Sequence, residues 1–182
     1  MSENKLPWSV PVALSDIPDT GRRFELSANE ETRAEVAKLA GLRALPRLEA
    51  AFDLAPHGAQ GLRVTGRVAA RVGQTCVVTL DPIENEVDEN VNVLFAPPME
   101  APADREGATG VAEKNIDPDA PEPLAGDVID LGSLAIEFLL LGIDPYPRKP
   151  GVAFEPQPAK DAGAHPFAAL AALKKGQGGK DD

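Results

Sequence analysis

The sequence predicts an α+β domain: a mainly antiparallel β-sheet, open or curled towards a barrel, with two helices packed on it. Three observations carry this reading. Gly61 to Phe95 reads as a meander of strand-length runs, alternating apolar and polar residues, whose connections are too short for crossovers. Two other stretches repeat their apolar residues at helical spacing and carry start and stop signals. Aromatic residues make up only 4% of the chain, so the core must come from Val, Leu, Ile, Ala and the few Phe.

In chain order, Pro7 to Leu14 alternates around Trp8, Val10 and Val12 and reads as a short strand, held to an edge by Pro7 and Pro11. Gly21 to Ala28 is a second strand with Phe24 and Leu26 on one face. Ser27-Ala28-Asn29-Glu30 has the form of a capping box, and Val36, Leu39 and Ala40 give a helical stripe. That helix runs from about Glu30 to Ala40 and stops at Gly41. Leu45 to Leu54 reads as a strand, weakened by Ala50-Ala51. Along Gly61 to Gln74, Leu62, Val64, Val68, Ala70 and Val72 fall on one side, and Arg63, Thr65, Arg67 and Arg71 on the other. Thr75 to Leu80 has strand composition, Asp81-Pro82 marks a turn, and Glu86 to Phe95 alternates through Val87, Val91, Val93 and Phe95.

Residues from about 96 to 125 are rich in Pro, Ala, Gly and acid, and predict a disordered acidic loop. Leu131, Leu134, Ala135, Phe138 and Leu141 mark a second helix, capped by Asp130 and stopped by Gly142. Ile136, Leu139 and Leu140 make it apolar over most of its circumference, which predicts burial. The expected organisation is one domain over residues 1–150 and a flexible tail over 151–182. Within the tail, Phe167, Leu170 and Leu173 give a short helix at about 166–175. That helix is too short to be stable alone, and docks either on its own domain or in a partner's groove.

The formal net charge of −11 is concentrated locally. Asp81 to Asp130 holds 14 acidic and 2 basic residues, so the rest of the chain is close to neutral. Such a block is either simply solvated or imitates RNA towards a basic partner. A basic face elsewhere remains able to bind phosphate. The single cysteine, Cys76, excludes an intramolecular disulfide and a Cys-based zinc cage, and fits a reducing cytoplasm. No apolar run approaches a membrane span, and the N-terminus lacks the apolar stretch of an export signal.

Catalytic signals are weak. His57 and His165 sit beside proline without patterned carboxylates, and Cys76 shares an apolar run that predicts a buried, inert thiol. No catalytic, metal or cofactor residue is assigned. Arg63, Arg67 and Arg71 form the sharpest feature, a row on one strand face about 27 Å long at roughly 3.3 Å per residue. These are the RNA-contact candidates, although Glu86 and Asp88 of a nearby strand are placed to pair with them instead. Exposed aromatics for base stacking are scarce. Phe167, Leu170 and Leu173 are the partner-docking candidates.

Three segments are similar to the YceD family, the large ribosomal RNA subunit accumulation proteins. They are Gln74-Thr75-Cys76-Val77-Val78-Thr79-Leu80-Asp81-Pro82; Asp127 to Leu134 running into Glu137-Phe138-Leu139-Leu140-Leu141; and Asp144-Pro145-Tyr146-Pro147-Arg148-Lys149-Pro150-Gly151. The third segment, and the tail Pro166 to Lys174, resemble the alphaproteobacterial branch. The resemblance implies a non-enzymatic cytoplasmic role in 23S ribosomal RNA accumulation. The implied partner is ribosomal RNA or a large-subunit ribosomal protein, with no membrane and no small-molecule substrate. Many relatives carry paired cysteines, one pair around the position of Cys76. This chain keeps Cys76 alone, so a metal or redox role does not carry over. The competing reading is a small-molecule-binding β domain, which requires an apolar cavity.

Overall fold

A computed structural model describes residues 6–58, 61–97, 121–124 and 126–153. The fold belongs to the compact unit Met1–Pro150; of the second unit, Gly151–Asp182, the description reaches Ala153. Its elements are β1 (Pro11–Ala13), β2 (Arg22–Ser27), α1 (Glu30–Leu39), β3 (Ala44–His57), β4 (Gly61–Thr75), β5 (Pro82–Ala96), β6 (Glu122–Pro123), β7 (Val128–Asp130) and α2 (Leu131–Gly142). A single 3-10 turn, Leu14–Asp16, follows β1.

The main sheet has the order β2-β3-β4-β5-β6, antiparallel except for the parallel β5-β6 pair. β1 and β7 pair separately, Val12 opposite Ile129. The architecture is therefore α+β, as the alternation predicts. The barrel-like form is not reached, because β2 and β6 lie at opposite edges and do not pair with each other.

Period-2 alternation places the core. Leu62, Val64, Val68, Ala70 and Val72 of β4 are buried with Leu48, Phe52 and Leu54 of β3 and Val87 and Val91 of β5. α1 packs on β3, while α2 packs on β4 and β5. Val36 and Ala37 come from α1, and Leu131, Ala135, Ile136 and Leu139 from α2. Each fully buried Leu, Val or Phe contributes about 1.5–3 kcal/mol of burial free energy. The helices cover this inner face, so the odd-numbered residues of β3 and β4 and the even-numbered residues of β5 form the other one.

Several local expectations change. The strand over Pro7 to Leu14 contracts to Pro11–Ala13, although Trp8 is still buried. α1 is capped by Asn29, whose side chain accepts from the Thr32 N–H at 2.8 Å, because Ser27 ends β2 opposite Glu49. Leu39 is exposed, and the buried stripe of α1 is Val36 and Ala37. In α2, Leu140 and Leu141 face outward, so burial is one-sided.

Thr75 to Leu80 is not a strand. β4 ends at Thr75, and Cys76 to Asp81 form the tight connection into β5. Leu80 N–H returns to the Cys76 carbonyl at 2.9 Å, and Leu80 itself adopts φ +62°, a left-handed conformation a strand does not allow. Within the expected acidic loop, residues 98–120 lie outside the described residues, but Leu124 is buried and its N–H reaches the Ala96 carbonyl at 2.8 Å. The helix expected at 166–175 also lies outside the described residues. No described helix is long and apolar enough to cross a membrane.

Candidate functional site

The outer face of the sheet is polar and uncovered by either helix. β3 contributes Arg47, Glu49, Ala51 and Asp53; β4 contributes Arg63, Thr65, Arg67, Ala69 and Arg71; β5 contributes Glu84, Glu86, Asp88, Asn90 and Asn92. Period 2 aligns the arginine row on β4, as the sequence requires. The antiparallel register then sets Arg71 opposite Glu86.

The arginines are not bare. Arg71 Nε donates to Glu86 at 2.7 Å, and Arg47 reaches the other oxygen of Glu86 at 2.9 Å. Arg67 forms a two-pronged pair with Asp88. Arg63 donates to the Asn92 amide oxygen at 3.2 Å. Hydrogen bonds from Arg71 and then Arg47 hold the Glu86 carboxyl below the usual carboxylate range, and the same Glu86 bond holds Arg71 above its ordinary value. Arg67 remains 61% and Arg71 51% exposed. Ion pairs this exposed are screened by solvent and hold the arginines only weakly. An open trough of about 660 Å³ lies on this face, with Ala51 and Ala69 in its floor and Arg47, Arg67, Glu49 and Asp88 in its walls.

A second arrangement escaped sequence reasoning. Gln74–Pro82 and the stretch from Asp144 to Lys149 are brought together. Buried Gln74 donates through Nε2 to the Asp144 carbonyl at 2.8 Å and accepts from Asn85 at 2.8 Å. Val77 N–H donates to the Pro147 carbonyl at 2.9 Å, and Lys149 Nζ lies 3.3 Å from Asp81. Cys76 sits between the two segments, fully covered. Its sulfur accepts from the Thr79 and Lys149 backbone N–H groups, both at 3.4 Å. The Thr79 side chain, then those N–H groups, pull the thiol down to about 6. The expectation of a buried thiol holds, but the cause is a turn clasped by a distant segment. The sulfur thus serves as a hydrogen-bond acceptor inside the clasped turn.

α2 is fixed by Asp130, whose side chain accepts from Ser9 Oγ at 2.6 Å, Val10 N at 2.8 Å, Gly132 N at 3.0 Å and Ser133 N at 3.1 Å. One carboxylate thus caps the helix and ties down the N-terminal segment.

The family model for the large ribosomal RNA subunit accumulation protein YceD matches residues 64–174, more than half of the chain. The chain belongs to the YceD family. No curated protein and no solved structure matches it. The YceD match opens inside β4 and takes in the 74–82 turn, Asp130 with α2, and the 144–151 segment. The Cys76 junction and the Asp130 cap therefore lie within it, together with Arg67 and Arg71, while Arg63 and Arg47 lie before it. The family name gives the chain a role in accumulation of large-subunit ribosomal RNA.

Proposed function

We propose that the chain is a non-enzymatic cytoplasmic accessory factor in 23S ribosomal RNA accumulation that acts by binding. The partner is ribosomal RNA or a large-subunit ribosomal protein, met on the outer face of the sheet. The observation that carries this reading is a long, uncovered strand face bearing Arg63, Arg67 and Arg71 in one row, in a chain of a ribosomal RNA accumulation family. Binding also fits Cys76, the most obvious nucleophile, being sealed beneath its turn. The trough is open and its walls are charged, which suits a polar macromolecular surface better than an apolar small molecule.

The test is recovery of partners from growing cells with and without RNase, repeated with Arg63→Gln, Arg67→Gln and Arg71→Gln combined. The triple variant should fold normally, because these side chains point away from the core. RNA-dependent association should weaken, and its salt slope should fall by up to about three counterions. An unchanged slope refutes the contact.

A further inference from the structure

The geometry points to a second contact site, where an unstacked base of single-stranded RNA lies on the Tyr146 ring with its phosphates on Arg148 and Lys149. This goes beyond the outer-face contact and rests on the ribosomal RNA reading above. Tyr146, the only tyrosine in the chain, is 71% exposed. An exposed ring is ordinary on a floppy loop, but this one is held. The Tyr146 backbone N–H donates to Asp144 Oδ1 at 2.8 Å, and prolines 145 and 147 restrict the backbone on either side. Pro147 is buried, and its carbonyl receives the Val77 N–H. The ring is thus presented from a fixed backbone, which lowers the ordering cost of stacking.

Two further observations point to a nucleic acid. Arg148 and Lys149 follow the ring directly, and both are exposed. Among the described residues Lys149 pairs with the half-exposed Asp81, a partner a phosphate can replace. On the facing turn, Leu80 is 74% and Val77 45% exposed, and Leu80 is held at φ +62°. A leucine turned outward in a left-handed conformation serves neither the core nor solubility; it adds an apolar shelf on the turn whose Val77 N–H bonds to the Pro147 carbonyl. Ring, apolar shelf and adjacent cations are the elements by which single strands are bound without reading sequence.

The experiment titrates the full chain with a fluorescein-labelled single-stranded RNA of about twelve nucleotides. Tyr146→Ala should weaken binding about 5- to 100-fold at an unchanged melting temperature, and Tyr146→Phe should retain it. Arg148→Gln should lower the salt slope by roughly 0.7. The ring resonances of the sole tyrosine should shift on adding the single strand and much less with a duplex of the same sequence. Ring signals that do not move, or a Tyr146→Ala variant that binds like wild type, overturn the site. If only the Arg63, Arg67 and Arg71 variants weaken binding, this site falls and the outer-face reading stands. If no RNA binds while partners survive RNase, the site falls and the protein-partner form of the proposed function stands.

Discussion

Gly66 sits in the middle of β4, opposite Phe52 of β3, and Gly66→Ala should be among the most damaging single-methyl additions in the sheet. A Cβ built there lies 2.0 Å from the Ala51 carbonyl oxygen and 3.0 Å from Phe52 Cα, both backbone atoms with no side-chain freedom to yield. A carbon–oxygen contact settles near roughly 3.3 Å, so β3 and β4 must part by about 1.3 Å. That lengthens the ladder hydrogen bonds flanking the pair beyond useful range, at about 0.5–1.5 kcal/mol each, and unseats Phe52, one of the largest fully buried side chains. With a packing penalty of about 1–3 kcal/mol, and a gain of up to about 1 kcal/mol from replacing glycine, the net loss is roughly 2–4 kcal/mol. A domain of this size should melt about 10 °C lower. Ala51 lies in the trough floor and Arg67 in its wall, so the variant should also disturb the outer face. Gly73→Ala is the control: its nearest neighbour would be the Ala44 side chain at 3.2 Å, beside the register shift of β3, and its cost should stay below about 1 kcal/mol. Urea unfolding followed by circular dichroism measures both. Equal midpoints for Gly66→Ala and wild type would refute the argument that backbone closeness, rather than strand entropy, selects glycine here.

Two further outcomes follow from the hydrogen-bonded side chains. Burial pushes the Asp130 carboxyl up, but bonds from Ser9, Val10, Ser133 and Gly132 outweigh it and leave the group below its ordinary value. Its stabilisation is therefore complete above the unfolded carboxylate range near pH 4 and is lost as pH falls through the lower folded value. Asp130→Ala should cost about 1–2 kcal/mol at pH 7, and the gap from wild type should narrow in acid; a pH-independent gap refutes this. For Cys76 the folded value of about 6 lies below the roughly 8.5 of a free thiol, so the unfolded chain binds more protons between them. Wild-type melting temperature should rise across pH 6 to 8.5 relative to Cys76→Ser, while thiol reagents label the folded protein slowly; rapid labelling, or parallel pH profiles, would show the clasped turn to be open.

The elements that sequence reading placed well are those whose cause is local. β4 shows its buried side because one face is covered and the other is not, and a period of 2 leaves no ambiguity about which arginines share a face. α2 begins where Asp130 precedes a helical apolar run, and α1 ends where Gly41 adopts φ +64°. The pairing of Glu86 and Asp88 with the arginines was likewise accessible, since each set shares one face of its own strand and neighbouring strands pair across that face. What was not accessible depends on distant chain. Thr75-Cys76-Val77-Val78-Thr79-Leu80 has the composition of a strand, yet Val77 and Cys76 bond to Pro147 and Lys149, about seventy residues on. No periodicity records that contact, so the turn, the left-handed Leu80 and the exposed Tyr146 could not be read beforehand.

The division between local and distant causes bears on which part of the chain holds the function. The family match opens at Val64, within β4, and leaves β2, α1 and β3 outside. β3 nevertheless pairs along almost the whole of β4 and buries Leu48, Phe52 and Leu54. It also supplies Arg47, which shares Glu86 with Arg71. The matched stretch thus carries the Cys76 junction and Tyr146, but it cannot form its inner core or settle the outer-face charges by itself. Residues before the match therefore tune the arginine row, while the 74–82 and 144–149 pairing that presents Tyr146 lies wholly within it. Substitutions in β3 such as Arg47→Gln should alter binding on the sheet face and leave the Tyr146 ring where it is, so the two proposed contacts can be perturbed separately.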